Sequence, residues 1–512
     1  MTANRRIFLN IVATYGRSLF SLASGLFISR WVLAALGKVD FGLYGVVGGL
    51  AVFVTFINLL LSQATARFYA FSVGRAKVSG EEGLEDCRRW FNTAVFIHTV
   101  VPCVLIAVGY PLGVYAVEHW LTIPADRMSA CIWVFRYVCI SCFIGMLNVP
   151  FGAMYTAKQE IAELTVYSFA QTLVNLCFMY FMVTHPGDWL ERYALWMCAV
   201  SVVPQLIICV RAVKVYPECK YNRAYLWSAT RVRQLGAFAC WQAFGGLGFI
   251  LRGQGIQILI NKYFGPTING SMAIANQVSG SAQTLSSALQ GAFAPAITNS
   301  CGAGDLEQMR AFAYRTCKFG MLLALIFVLP LALELRTVIQ LWLGDPPAYA
   351  VELCWYVLIM AIIDKSSAGH MLAVSATGKI AAYQTFLGGS LILTLPLAWI
   401  FVALKWGVCS VGWAMIATML VCAWGRVWFA RSIVGMSARY WLRRIMLPVV
   451  VLLLVCFAVG CLPRLILSAG VLRLGVTTVM VEAVLLPLAF FVVLDAGERQ
   501  FVLVKIRKVL GR

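Results

Sequence analysis

The chain has 512 residues, 61% of them hydrophobic and only 12% charged, with a formal net charge of +20. Soluble domains of this length carry about 25% charged residues, and a soluble core has no means of hiding so much apolar surface. That excludes a soluble enzyme or binding protein and predicts an all-α polytopic membrane protein. A charge of this size in a soluble chain would point to nucleic acid; in a membrane chain it is first tested against topology.

In chain order, Asn4-Arg5-Arg6 precedes an apolar run that has the outline of a signal peptide. The run is too long, carries Arg17 at its centre and has no small-x-small cleavage site, so an uncleaved first span is expected. Apolar segments of spanning length occur at about 7–29, 41–62, 91–117, 130–152, 162–183, 193–210, 235–261, 271–298, 319–343, 352–374, 380–403, 409–430, 445–463 and 474–494. These are spans 1 to 14 below. The longest loops, 63–90 and 211–234, are too short for an independent domain.

Spans 1 and 2 form a hairpin around Leu36-Gly37-Lys38-Val39-Asp40-Phe41-Gly42-Leu43-Tyr44-Gly45, closing on Ala64-Thr65-Ala66-Arg67. A shift of 228 positions repeats its outline: Gly37 falls on Gly265, Gly42 on Gly270, and Thr55, Asn58 and Ser62 on Gln283, Ser286 and Gln290. Each polar trio lies at helical spacing on one face. The expected organisation is therefore two six-helix lobes, 1–213 and 235–431, joined by a basic linker at 214–234. A C-terminal pair of helices and a basic tail occupy 432–512. Both lobes start on the same side, so they are parallel repeats, and the linker is long enough to let one lobe rock on the other.

With the N-terminus inside, 28 loop cations lie on the cytoplasmic side and nine on the other. Most of the net charge thus encodes orientation, with both termini cytoplasmic, and attraction to anionic lipid headgroups; no nucleic-acid partner is needed. Four cations lie inside spans: Arg17, Arg136, Arg252 and Lys365. Intramembrane cations face a cavity or a partner, so a cationic cavity and structural ion pairs both stay open as readings. Arg136 maps by the shift onto Asp364, beside Lys365. Among acids, Asp364 and the mid-span Glu482 are the coupling candidates. Span 8 carries Asn276, Ser279, Gln283, Ser286, Ser287 and Gln290 largely on one face, which fits either a polar cavity wall or interhelical hydrogen bonds. Gly245, Gly246, Gly248, Gly253 and Gly255, with Trp241 and Gln242, suggest a bendable span 7. Most of the seventeen cysteines sit in apolar runs as small hydrophobes. Cys139-x-x-Cys142 has no second pair, and the four histidines make no ligand motif, so no metal or cofactor is expected.

The Leu36-Gly37…Asp40-Phe41-Gly42-Leu43-Tyr44 hairpin with Ala64…Arg67, and the Gly265-Pro266…Gly270…Ala275 segment, resemble patterns of the MOP flippase superfamily, in particular its polysaccharide transporters for O-antigen and capsule. The resemblance implies two lobes that alternate access. It also implies transfer of an undecaprenyl-diphosphate-linked oligosaccharide from the cytoplasmic to the outer leaflet of a bacterial inner membrane. The expected partners are that lipid-linked substrate and the membrane lipids, the protein acting as a monomer beside a polysaccharide polymerase and glycosyltransferases. Coupling to a proton or sodium gradient and to the membrane potential is expected. Multidrug MATE exporters share the twelve-helix core but use acids in the lobes; cations here favour an anionic substrate. Arg17, Arg252, Arg136 and Lys365 are then expected at the diphosphate, and Asn58, Ser62, Asn276, Gln283 and Gln290 at the sugar. A MATE-type small-molecule exporter and a lipid II flippase, which share the layout, are the alternatives. A membrane polymerase or ligase would need catalytic groups and usually a large outer loop, and neither is evident.

Overall fold

The structure is a computed structural model describing residues 16–500, apart from a scatter of positions between 18 and 46 and residues 122, 186 and 345. The expected uncleaved start of span 1 and the basic tail from residue 501 lie outside the described residues. Every described residue from 16 to 49 is helical. Span 2 continues as Val52–Ser79, span 3 is Glu81–His119, span 4 Met128–Ala157, span 5 Ile161–Thr184 and span 6 Leu190–Val215. Spans 7 to 10 are Ala229–Phe264, Pro266–Gly302, Leu306–Leu333 and Ala350–Thr377. Span 11 is broken into Ala381–Ile392 and Thr394–Ala403, and span 12 is Cys409–Val434. Span 13 runs from Ala438–Trp441 through a π-helical turn, Leu442–Met446, into Leu447–Cys461; span 14 is Val471–Leu488 with a second π turn at Ala489–Val493. No strand occurs among the described residues.

Eleven of these helices are long and apolar enough to cross a membrane, and twelve if the pair Val39–Gly49 and Val54–Ser79, bent by 51°, counts as one span. The count among the described residues falls short of the expected fourteen at spans 1 and 8. Span 1 lies largely outside the described residues. Span 8 is a continuous 37-residue helix with no Asp, Glu, Lys or Arg, but its polar stripe dilutes its hydropathy. The turns of the repeated hairpin do match: Gly37 (φ 73°) and Gly265 (φ 85°), 228 positions apart, both adopt the left-handed conformation that glycine accepts without strain.

The chain divides into two compact units. The first comprises Met1–Gln242 and Ala294–Asp305, so the ends of spans 7 and 8 pack with the first six spans. Span 8 is held there by Asn299, whose Nδ2 donates to the Ala157 carbonyl at 3.1 Å. A side chain at Gly74 or Gly302 would strike the backbone of the other helix, which sets how closely spans 2 and 8 approach. The hairpin residue Asp40 is buried and pairs at 3.3 Å with Arg127, which also holds Asp188 at 2.7 Å. Arg67 lies against the rings of Phe68, Phe71 and Phe238. These motif residues build the unit.

The segment between spans 6 and 7 is not a loose tether. Short 3-10 turns, Pro217–Cys219 and Arg223–Tyr225, dock it onto span 3. Asn92 Nδ2 donates to the Lys220 carbonyl and Asn92 Oδ1 accepts from the Asn222 amide. Arg231 pairs with Asp86 at 2.7 Å, Lys158 with Glu218, and the Tyr216 hydroxyl donates to Glu160. Its polar backbone is satisfied against the first unit, which is why it folds there instead of extending.

The second unit comprises Ala243–Phe293 and Leu306–Arg512. Spans 9, 10 and 12 form its centre: 67–72% of their most apolar windows is buried, against 28% for spans 13 and 14. The C-terminal pair packs on span 9 through a cluster that includes Leu325, Leu329, Leu452, Cys456, Val481 and Leu485. Ion pairs pin it at both ends. Glu334, fully buried, accepts from Arg473 at 2.8 Å and from Thr337 and Thr477. At the other end Lys318 holds Asp495 and Glu498 at 2.9 and 2.8 Å, and Arg315 joins Glu498 at 3.4 Å.

Candidate functional site

The helix spacing of span 7 explains the local architecture of the second unit. Gly245, Gly248 and Gly255 follow one face, and Arg252 falls on the same stripe. An added Cβ at Gly245 would meet the Gln384 side chain, at Gly248 it would lie 2.8 Å from Gly388 Cα, and at Gly255 it would meet Leu395. These three glycines serve close packing of span 7 on span 11. Close approach carries Arg252 inward with them. Gly425 likewise admits the Phe386 ring, drawing span 12 against span 11 next to Arg426.

On span 10, Asp364 accepts from Arg426 Nη1 at 2.8 Å through Oδ1 and holds Lys365 Nζ at 3.1 Å through Oδ2. The same Nη1 lies 3.2 Å from the Asp364 carbonyl and 3.3 Å from Ser367 Oγ. Arg252 stands within electrostatic reach of Asp364 and Arg426, with its guanidinium 5.5 Å from the Phe249 ring. Three cations thus gather around one acid. Arg252 Nη1 and Arg426 Nε are buried with no hydrogen-bond partner. A cluster of net charge +2 with spare guanidinium donors, in a low-dielectric surround, is suited to a compact dianion.

The structure brings together Arg252, Asp364 and Lys365 of the predicted residues, and adds Arg426. Sequence reasoning counted Arg426 among the cytoplasmic loop cations; it is 1% exposed inside span 12. Its position within the apolar segment 409–430 was the available signal. The other two predicted cations belong to the first unit. Arg136 donates from Nε to the Tyr110 hydroxyl at 3.0 Å and lies 4.6 Å from the Trp133 ring. Arg17 is exposed, with no ion pair to a described residue.

Of the polar stripes, Asn58 and Ser62 are half-buried in the first unit, and Asn58 Oδ1 has no partner. In the second unit Gln283 donates to Ser279 within its own helix at 2.8 Å, Gln290 Nε2 is buried without a partner, and Asn276 is exposed. Thr55 bonds back to the Ala51 carbonyl. Glu482 is half-buried in span 14 with Oε1 unpartnered, beside Cys456. Cys139 and Cys142 are free thiols. Among the described residues no group of three His, Cys, Asp or Glu is placed to hold a metal ion.

A family model described as polysaccharide biosynthesis protein matches residues 134–346, less than half of the chain. No curated protein matches the sequence. Among solved structures, a MATE in the bent conformation has a TM-score of 0.69 at 13% identity, covering 85% of this chain and 98% of that one. An outward-facing multidrug resistance MATE family transporter of the MOP superfamily scores 0.67 at 14% identity, with 85% and 95% coverage. The chain shares the fold of these MATE transporters. A third MOP-fold protein, a transporter from Pyrococcus furiosus described as having a binding pocket of reversed polarity, scores 0.64 at 14% identity over 85% and 95%. The resemblance expected from the two hairpins agrees with the polysaccharide-biosynthesis description of the family model and with the fold of the MATE and MOP-superfamily structures.

Proposed function

We propose that the protein is a flippase for an anionic lipid-linked oligosaccharide, such as an undecaprenyl-diphosphate-linked sugar, moved from the cytoplasmic to the outer leaflet of a bacterial inner membrane. The observation that carries this reading is the cluster of Arg252 with the buried Lys365 and Arg426 around half-buried Asp364, whose net charge of +2 complements a diphosphate. The polysaccharide-biosynthesis match and the MOP fold support transport of a sugar precursor over catalysis. Arg17 and Arg136 would serve the same anion from the first unit, and Asn58, Ser62, Asn276, Gln283 and Gln290 the sugar. Asp364 and Glu482 are the acids through which a proton or sodium gradient would act. The two six-helix lobes of 1–213 and 235–431 would alternate access, with both termini cytoplasmic and the protein working as a monomer beside polymerase and glycosyltransferases.

The test is flipping of a fluorescent undecaprenyl-diphosphate oligosaccharide in proteoliposomes. Arg252→Ala should abolish it, and Arg252→Lys should keep part of it, because lysine supplies the charge without the bidentate fork. Full activity of the Ala variant at normal protein levels would overturn the assignment. The solved neighbours named as multidrug transporters favour a second reading, export of a small organic ion. The same liposomes loaded with an organic cation decide against it if efflux stays at background, since a +2 cluster repels that cargo.

A further inference from the structure

A groove of about 870 Å³ lies in the second unit among spans 9, 10, 12 and 13. Its walls are mainly aliphatic. Arg431, Arg439 and Arg443 stand where span 12 ends and span 13 begins, with Trp424, Trp428 and Trp441 among them. All three arginines are exposed, and none forms an ion pair with an acid among the described residues. The acids that hold span 14, Asp495 and Glu498, are already engaged by Lys318 and Arg315. Tryptophan beside arginine marks the level of the membrane interface. The π turn Leu442–Met446 falls in the groove wall; it carries Arg443 while Ile445 stays buried. Such turns are concentrated at functional sites.

The groove faces away from the ion cluster. On span 12 it is lined by positions 420, 423, 424, 427, 428 and 431, one continuous helical stripe. Cys422 and Arg426 occupy the face turned towards Asp364. On span 10 the groove takes 359, 362, 363 and 366, and Asp364 looks the other way. A molecule seated in the groove therefore has the core of spans 10 and 12 between its head and the buried cations.

We infer that this groove is a binding site for a resident anionic glycerophospholipid of the phosphatidylglycerol class, its phosphate held by Arg431, Arg439 and Arg443 and its acyl chains along spans 10, 12 and 13. The complementarity is of both kinds: unpaired guanidiniums for the phosphodiester at interface depth, and an aliphatic slot for the chains. Its position on the rear of the cluster separates it from the proposed cargo site. The bound lipid fills the seam between span 13 and the centre of the unit.

The full-length protein, purified in detergent and stripped of lipid, is titrated with phosphatidylglycerol or phosphatidylcholine while bound lipid is counted by native mass spectrometry and Tm is followed. Phosphatidylglycerol should bind near one equivalent and raise Tm by several degrees, with phosphatidylcholine giving at most a tenth of the binding. The triple variant R431A/R439A/R443A should lose that preference, and the triple lysine variant should keep it. Val450→Trp, which fills the slot without touching the arginines, should exclude the lipid at any headgroup. Retention of the headgroup preference by the triple Ala variant overturns the site, as does full binding by Val450→Trp; if the Ala variant does not fold, the lysine and tryptophan variants decide. Displacement of phosphatidylglycerol by stoichiometric undecaprenyl diphosphate would also overturn it, by making the groove a route for cargo.

Discussion

Arg252 and Arg426 stand in one cluster but are held differently. Arg426 is buried and pairs with the half-buried Asp364 carboxylate, and removing one partner of a buried pair costs up to about 3–5 kcal/mol because the other charge is left less compensated. Arg252 has a buried nitrogen with no hydrogen-bond partner, so its desolvation is offset only by the nearby Asp364 charge and the Phe249 ring. Arg426→Ala should therefore lower Tm in detergent, whereas Arg252→Ala should leave Tm unchanged or raise it while stopping transport. Thermal unfolding of the two variants, alongside the flipping assay, separates these roles. Equal destabilisation by both would show that Arg252 is a structural residue and not an anion ligand.

At the level of elements, the clasp at Glu334 decides how the C-terminal pair is carried. Glu334 lies just beyond span 9 and binds Arg473 on span 14, with Arg464 at 3.7 Å. Burial alone would raise its pKa, but the hydrogen bonds and charge of Arg473 outweigh it and hold the carboxyl below the usual glutamate range. A depressed folded pKa contributes stability that is present above the unfolded value and lost as pH falls through the folded one. Glu334→Gln should accordingly lower Tm at neutral pH, and the gap to the parent protein should close in acid below the ordinary glutamate pKa. A Tm difference that is constant with pH would mean that the carboxylate charge is not what holds the pair. The opposite clasp, Lys318 with Asp495 and Glu498, keeps the far ends together in both proteins.

For the whole molecule, direction follows from charge. With Arg426 buried, 27 loop cations lie on the basic side against nine on the other, so the orientation proposed from the positive-inside pattern is unchanged. A cysteine at position 80 or 225, in a cysteine-free background, should then escape an impermeant reagent added outside intact cells. Cells are negative inside, so outward passage of a cargo near −2 is favoured by roughly 4–5 kcal/mol per 100 mV if the protein's own cations stay fixed in the field. Flipping in proteoliposomes should accelerate under a negative-inside potassium potential and slow when the potential is reversed. A rate indifferent to the potential would rule out net charge transfer with the cargo.

The membrane class, the positions of most spans, and the turn glycines Gly37 and Gly265 were all legible along the chain. Each depends on local quantities: hydropathy over some twenty residues, helical spacing, and the one residue type that accepts left-handed backbone. Arg252, Asp364 and Lys365 could also be singled out, because a charge in an apolar run is a one-dimensional signal. What partners they have was not legible. Asp364 meets Arg426 across 62 positions only because spans 10 and 12 pack together, and Arg252 joins them because three glycines let span 7 approach span 11. The docking of the 214–234 segment and the two clasps on span 9 likewise join residues far apart in the chain. Sequence determines which helices form and what each presents; the close packing of those helices decides which charges meet, because pairing in low dielectric depends on separations of a few ångströms that no periodicity encodes.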